Sequence, residues 1–423
     1  MTNKHIIVEQ SLALKGTAHL TGAKNAVLVI MASLILTSGK SVLTNVPVSD
    51  DVIQMIKLLS DLGAHVFFNQ ESGTLEIDTA QIKHYAVSYK IMKKMRASIL
   101  VMGPLLARFG KANVAVPGGC ALGARPIDFH LKAFARMGVI VEHNQDYLNA
   151  HTAFLKSGTL ILEYPSVGAT ENIIMAAALT SGVTTIVNAA LEPEVLDLIA
   201  VLKKMGACID IVPPATIKIE GVTTLKPIEY EIMFDRLEAG SLILAAAITG
   251  SHINLPQAPA NVMQVFLSKL EEMGHIVNVG SNGIGIDFKA TSNPQAISFK
   301  TMPYPGFPTD LQAPMMAALC LASGTSVIQE TVFENRLIHV RELQKMGAQI
   351  TVHGDTAIIK GVEQLYGASV IASDIRAACA LVIAGLAAQG RTTISGVNHL
   401  QRGYQDILKK ISNLGGKAFL SQE

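Results

Sequence analysis

The chain has 423 residues, 49% apolar and only 16% charged, enough apolar material to bury the cores of two to four domains. A net charge of +1 excludes a general nucleic-acid binder, which needs a broad basic face. The four cysteines, Cys120, Cys208, Cys320 and Cys379, are too widely spaced for a CxxC metal site or a disulfide framework, so a reducing cytoplasm without a metal is expected.

The opening MTNKHIIVEQ lacks the apolar core of a secretory signal, and the longest apolar run, near 26–37, falls far short of a bilayer span. The expectation is a soluble protein with no membrane insertion. From there one unit returns six times. Apolar helices such as MASLILTSG, MAAALTSG and LAAAITG end at Gly39, Gly110, Gly182, Gly250, Gly324 and Gly390, and a strand follows each. A second helix then ends at Gly63, Gly138, Gly206, Gly274, Gly347 or Gly415, as in LLSDLGAHV, LKKMGACIDI and LQKMGAQITV. A helix end prefers a left-handed backbone at that point, and glycine adopts it without strain. Each unit therefore reads as two helices and about four short strands over roughly 70 residues. Three units per domain divide the chain near LKPIEYE. The expected domains are 22–229, carrying the glycine-rich loop, and 1–21 with 230–423, with a ligand in the cleft between them.

Aligned on the apolar helices, the six helix starts are GAKNA, KMRAS, GATEN, DRLEAG, PTDLQ and SDIRA. They place Lys24, Arg96, Glu171, Glu238, Asp310 and Arg376 at roughly equivalent positions. Capping and dipole roles account for the carboxylates, Asp310 and Glu171 in particular. They do not account for Lys24, Arg96 and Arg376, because a cation at a helix N-terminus faces the unfavourable end of the dipole. An anion held between the cation and the free N–H groups resolves the conflict, so the repeat points to phosphate binding.

In the second unit, VPGGCALGARPID sets Cys120 between Gly119 and Gly123, five residues before Arg125. The loop lacks the Lys-Ser/Thr of a P-loop, and its glycines alone mark no more than a tight turn. The cysteine is informative. The other three sit in apolar helices or beside a Met-Gly turn, where core packing is expected, whereas a nearby arginine lowers the pKa of Cys120 and makes it a usable proton donor. The loop glycines also permit a lid.

PGGCALGARPID resembles the signature of the UDP-N-acetylglucosamine enolpyruvyl transferases (1-carboxyvinyltransferases). GAKNA, MRASILVMGPLLARFG, SVGATEN, YPGFPTDLQAP, ETVFENR, SDIRAACALVIAGLAAQG and RGY follow in family order along the whole chain. The resemblance implies an α/β (α+β) protein of two inside-out barrel domains, built from six βαβαββ-like units. It also implies transfer of the enolpyruvyl group of phosphoenolpyruvate to the 3-hydroxyl of UDP-N-acetylglucosamine, with no cofactor. Carried onto this chain, Cys120 is the acid, open to a covalent adduct, and Asp310 takes the hydroxyl proton. Lys24 contacts phosphoenolpyruvate with Asn25 beside it at the sugar. Arg125 and Arg402 hold phosphate, Arg376 holds the carboxylate, and Arg96 serves the anion or sugar-nucleotide site. Arg125, Pro126, Ile127, Asp128 and Phe129 bind the uridine diphosphate, Ser166, Val167 and Gly168 add donors there, and Val332 contacts the sugar. Arg336 reads as a structural salt-bridge residue, and His339 and His399 as structural histidines. The nearest rival is the shikimate-pathway relative, 3-phosphoshikimate 1-carboxyvinyltransferase, which is expected to carry Lys-Ser at Lys24-Asn25 and no cysteine loop. A rival of another class is a non-catalytic scaffold that keeps the fold.

Overall fold

The computed structural model describes residues 4–87, 96–115, 127–144 and 147–422. The described chain divides into two units, one holding the described residues of 22–115 and 127–233 and the other 4–21 with 234–422. The chain leaves the first unit after Met233 rather than at 229. Strand Glu229–Glu231 pairs in parallel with Lys40–Thr44, and the Ile232 N–H then donates to the Thr44 carbonyl at 3.0 Å, holding these residues in the first unit.

Each repeat folds for the same reason. Its first helix is apolar all round, so it must be enclosed on every side. In the second unit Arg236–Ile248, Gln312–Leu319 and Ile375–Ala387 pack on one another at the centre, almost every residue buried. Lys24–Ser33 and Val167–Ala177 are enclosed in the same way in the first unit. Sheets and amphipathic helices lie outside these helices. Strands such as His252–Leu255 alternate exposed and buried residues, as a sheet with one wet face requires.

Four of the sheets among the described residues combine a hairpin with a neighbour that runs parallel to a strand of another repeat. Thr159–Ile161 joins Val183–Val187 in this way, and Ser298–Lys300 joins Thr325–Gln329. The first residues of the chain belong to the second unit. Lys15–Thr17 pairs in parallel with His252–Leu255, and Lys4–Glu9 sits antiparallel between Arg391–Ser395 and Lys417–Gln422, with Ile6 opposite Ile394 and Leu420. That insertion completes the sixth sheet from the opposite end of the chain.

All twelve helix-ending glycines have positive φ, from 65° to 130°. At Gly63 a Cβ would also stand 2.8 Å from the Gln81 carbonyl oxygen, so even a residue tolerant of that conformation has no room. One expectation fails. The Met-Gly turn beside Cys208 predicts a core position, but Cys208 begins strand Cys208–Val212 facing outward and is exposed. Cys320 and Cys379 are buried. Among the described residues no helix is long and apolar enough to cross a membrane.

Candidate active site

In the first unit, Lys24 opens helix Lys24–Ser33, which has no side-chain cap and no acidic residue in its first turn. The free N–H groups of that turn and a buried cation therefore share one place. Lys24 Nζ donates to Asp51 Oδ2 at 3.1 Å, and both side chains are close to fully buried. Asn25 follows on the same turn, half-buried. Arg96 begins the short 3-10 helix Arg96–Val101, but its side chain lies outside the described residues, as do Cys120, Arg125 and Pro126 and any lid around them.

Two other predicted segments come together. Ile127 precedes helix Asp128–Arg136, and Ser166 caps helix Val167–Ala177 by accepting from the Ala169 N–H. A Cβ on Gly168 would lie 3.3 Å from the His130 ring, so the two helix starts touch through His130. Asp128 pairs with Lys132 at 3.5 Å, and Lys132 Nζ stands over the Phe129 ring. Beneath them, Asn172 Oδ1 accepts from the Gly103 N–H at 2.8 Å and Nδ2 donates to the Ile99 carbonyl at 3.0 Å. Those two bonds fix the amide, so Nδ2 donates to His130 Nδ1 at 2.9 Å and His130 is neutral.

Burial lowers the pKa of His130 to about 4, with Asp128 opposing the shift. An unfolded chain takes up this proton near pH 6.5, which the folded chain refuses until about pH 4. Stability from this group is therefore complete above about pH 6.5 and is lost as pH falls towards 4, by up to about 3 kcal/mol. Urea unfolding at pH 7 and 4.5 checks this, with His130→Gln expected to flatten the difference. Equal pH dependence in both proteins would refute it.

The second unit holds a tighter constellation. Asp310 lies on the 3-10 turn Thr309–Leu311 that leads into Gln312–Leu319. Its Oδ1 accepts from Arg336 Nη2 at 2.7 Å, and its Oδ2 from Arg376 Nη2 at 2.6 Å. Burial works against the charge, but Arg376 and then Arg336 outweigh it and hold the carboxyl well below the usual carboxylate range. The Arg336 and Arg376 side chains are 3% and 8% exposed while that of Asp310 is 25% exposed, so the aspartate is the most accessible side chain of the three.

Arg376 is itself anchored. Asp374 caps helix Ile375–Ala387 by accepting from the Arg376 and Ala377 N–H groups. Arg376 Nη1 donates to the Tyr404 hydroxyl at 2.9 Å. Because Ser241 Oγ donates to the Leu237 carbonyl, Tyr404 donates in turn to Ser241, at 2.8 Å. Arg402 lies two residues before Tyr404, half-buried on helix Val397–Gly403. The half-buried Val332 belongs to a loop fixed by Glu330. That carboxylate accepts from the Val332 and Phe333 N–H groups and from the Thr301 and Thr309 hydroxyls, which ties the loop to the residue before Asp310.

The capping assignments need correction. Asp310 does not cap a helix; it bridges two arginines. Glu171 lies in the second turn of Val167–Ala177, fully buried, its carboxyl pushed well above the usual range by burial and then by Glu194 and Glu192. Glu238 accepts from Lys410 Nζ at 2.6 Å and from the Thr21 N–H, while Asp235 provides the cap. Arg236, at the first position of that helix, is the cation the alignment overlooked. Arg336 was set aside as structural; it forms a salt bridge, but with Asp310 itself. Asp51, Tyr404 and Glu330 also went unassigned, although RGY and ETVFEN contain the last two.

The model of a family described as EPSP synthase (3-phosphoshikimate 1-carboxyvinyltransferase) matches residues 8–411. The enolpyruvyl transferase NikO of Streptomyces tendae has the same fold, with a TM-score of 0.91 over the full length of both chains at 22% identity. Fold and family match define the class, that of the enolpyruvyl transferases. The UDP-N-acetylglucosamine 1-carboxyvinyltransferase 1 of Caldanaerobacter subterraneus subsp. tengcongensis is 47% identical over 413 residues, 98% of each chain. The corresponding protein of Shewanella amazonensis is 47% identical over 96% of each. The chain belongs to the UDP-N-acetylglucosamine 1-carboxyvinyltransferase family, and it is an enzyme.

Proposed function

We propose that the enzyme transfers the enolpyruvyl group of phosphoenolpyruvate to the 3-hydroxyl of UDP-N-acetylglucosamine, releasing phosphate, as the first committed step of peptidoglycan precursor synthesis in the cytoplasm. The geometric observation that carries the reading is the pair of buried guanidiniums, Arg336 and Arg376, turned towards one carboxylate. The acceptor sugar comes from the names of the full-length relatives.

In this reading the sugar oxygen forms a bond to C2 of phosphoenolpyruvate as Asp310 takes the hydroxyl proton. Cys120 protonates C3, which becomes a methyl group. The tetrahedral phosphoketal then loses phosphate from C2 and a proton from C3, which the Cys120 thiolate takes back, restoring the double bond of the enolpyruvyl group now on the sugar, and Asp310 gives up its proton to solvent. Lys24, Arg125 and Arg402 balance the phosphate, and the uncapped N-terminus of Lys24–Ser33 adds N–H donors. Arg376 takes the carboxylate with Arg336 beside it. Asn25, Arg96, Pro126, Ile127, Asp128, Phe129, Ser166, Val167, Gly168 and Val332 hold the sugar nucleotide.

The rival acceptor is shikimate 3-phosphate, to which the name of the matched family model points. Phosphate release from phosphoenolpyruvate with each acceptor separates the two. Release only with UDP-N-acetylglucosamine is expected. Release only with shikimate 3-phosphate overturns the assignment, and release with neither overturns the transferase reading.

A further inference from the structure

The acceptor for the hydroxyl proton is clasped by two buried cations, which makes it a weak base, and the cations are those the donor's carboxylate needs. One arrangement resolves both conflicts. We propose that Asp310 is an internal stand-in for the donor's carboxylate: it occupies the Arg336–Arg376 pair until phosphoenolpyruvate displaces it, and only the displaced aspartate is a competent base. The proposal rests on the reading of Arg376 as the carboxylate site.

Three observations carry it. Asp310 meets each arginine through a single Nη2, one oxygen to each, so neither guanidinium is used in its two-donor side-on mode. Arg336 Nε is buried with no hydrogen-bond partner among the described residues, leaving beside the occupied Nη2 the second donor that a side-on carboxylate requires. The arginines are fixed from behind while the aspartate lies at the accessible side. Arg376 is held by Tyr404, and Arg336 stacks its guanidinium 5.1 Å from the Phe333 ring centre, with its carbonyl bonded to His339 Nδ1. An incoming carboxylate therefore meets Asp310 first and finds the guanidiniums already in place. The exchange swaps one anion for another, so the buried cations are never left unpaired. Relieved of both cations, Asp310 regains the basicity of an ordinary carboxylate as the donor arrives. Donor binding and hydroxyl activation become one event.

The test is affinity for phosphoenolpyruvate, by calorimetry without sugar nucleotide, in a Cys120→Ser background that limits chemistry at the thiol. Removing the competitor with Asp310→Asn is expected to tighten binding at least ~5-fold, because an internal occupant lowers apparent affinity in proportion to its occupancy. Equal or weaker binding in a folded variant overturns the proposal. Arg376→Ala distinguishes failure of the underlying reading: if it binds phosphoenolpyruvate as the parent does, the arginine is not the carboxylate site. Should Asp310→Asn fail to fold, carbon-13 spectra of aspartate carboxyls at fixed pH decide, with the resonance assigned by its loss in the charge-conserving Asp310→Glu. Phosphoenolpyruvate is expected to move that resonance. A resonance unmoved at saturation overturns the displacement.

Discussion

Phosphate release by Cys120→Ser is expected to fall by ~10²–10⁴-fold, the usual contribution of a positioned general acid, with UDP-N-acetylglucosamine binding little changed. Protonating a vinyl carbon needs a donor that is held in place and acidic enough to give up its proton near neutral pH. A thiol five residues before Arg125 in the sequence is the group proposed to meet that need, and a serine hydroxyl, far less acidic, does not. The other cysteines are poor substitutes. Cys320 is buried and donates to the Met316 carbonyl, and burial pushes its pKa up to about 12. Cys379 is also buried and pushed up, and the exposed Cys208 stands on an outer strand. Steady-state rates at saturating UDP-sugar, followed by phosphate release, give the answer. A serine variant that keeps its rate moves the acid elsewhere in the enzyme.

Glycine made the fold legible. Twelve positive-φ helix ends recur at fixed spacing because few other residues adopt that backbone without strain, so the repeat shows as punctuation. The closure of the sixth sheet by Lys4–Glu9 carries no such mark. Its register depends on Arg391–Ser395 and Lys417–Gln422, hundreds of residues away. At the site, motifs located residues, but counting back from a glycine misjudged what they do. Glu238 occupies the third residue of its helix, and the cap is Asp235, three residues earlier. Arg336 reads from the sequence as a structural salt-bridge residue with no partner named, because only tertiary structure brings its loop, fixed by Glu330, against Asp310. Asn172 closes the motif SVGATEN, but its role is not legible there, since what an asparagine inside an apolar helix does is decided by its partners.

That residue supports the second large prediction. Asn172→Leu keeps the heavy-atom branching of the side chain but removes the partner of three buried groups: the Gly103 N–H, the Ile99 carbonyl and His130 Nδ1. Each costs about 1–3 kcal/mol when stranded, so a loss of ~4 kcal/mol is expected, at the upper end for a point mutation. Local relaxation offers only part of the relief, because the Gly103 N–H can reach the Ile99 carbonyl, four residues earlier, only if the 3-10 stretch Arg96–Val101 rewinds as α-helix. Gly103 is the second residue of helix Met102–Phe109, where a backbone N–H has no acceptor within its own helix, and that helix has no side-chain cap. The two backbones also approach so closely that a Cβ on Gly103 would stand 2.4 Å from the Asn172 carbonyl oxygen, which leaves no space for water to take the bond. Urea unfolding at pH 7 measures the loss, and an unchanged midpoint and slope would mean the amide contributes nothing. Because His130 touches Gly168 and lies beside Phe129, both proposed to hold the sugar nucleotide, the functional effect is expected on that substrate. At a temperature where the variant stays folded, KM for UDP-N-acetylglucosamine is expected to rise while KM for phosphoenolpyruvate holds. A rise in both would show that the Asn172 interlock supports the fold as a whole and not the sugar-nucleotide segments in particular.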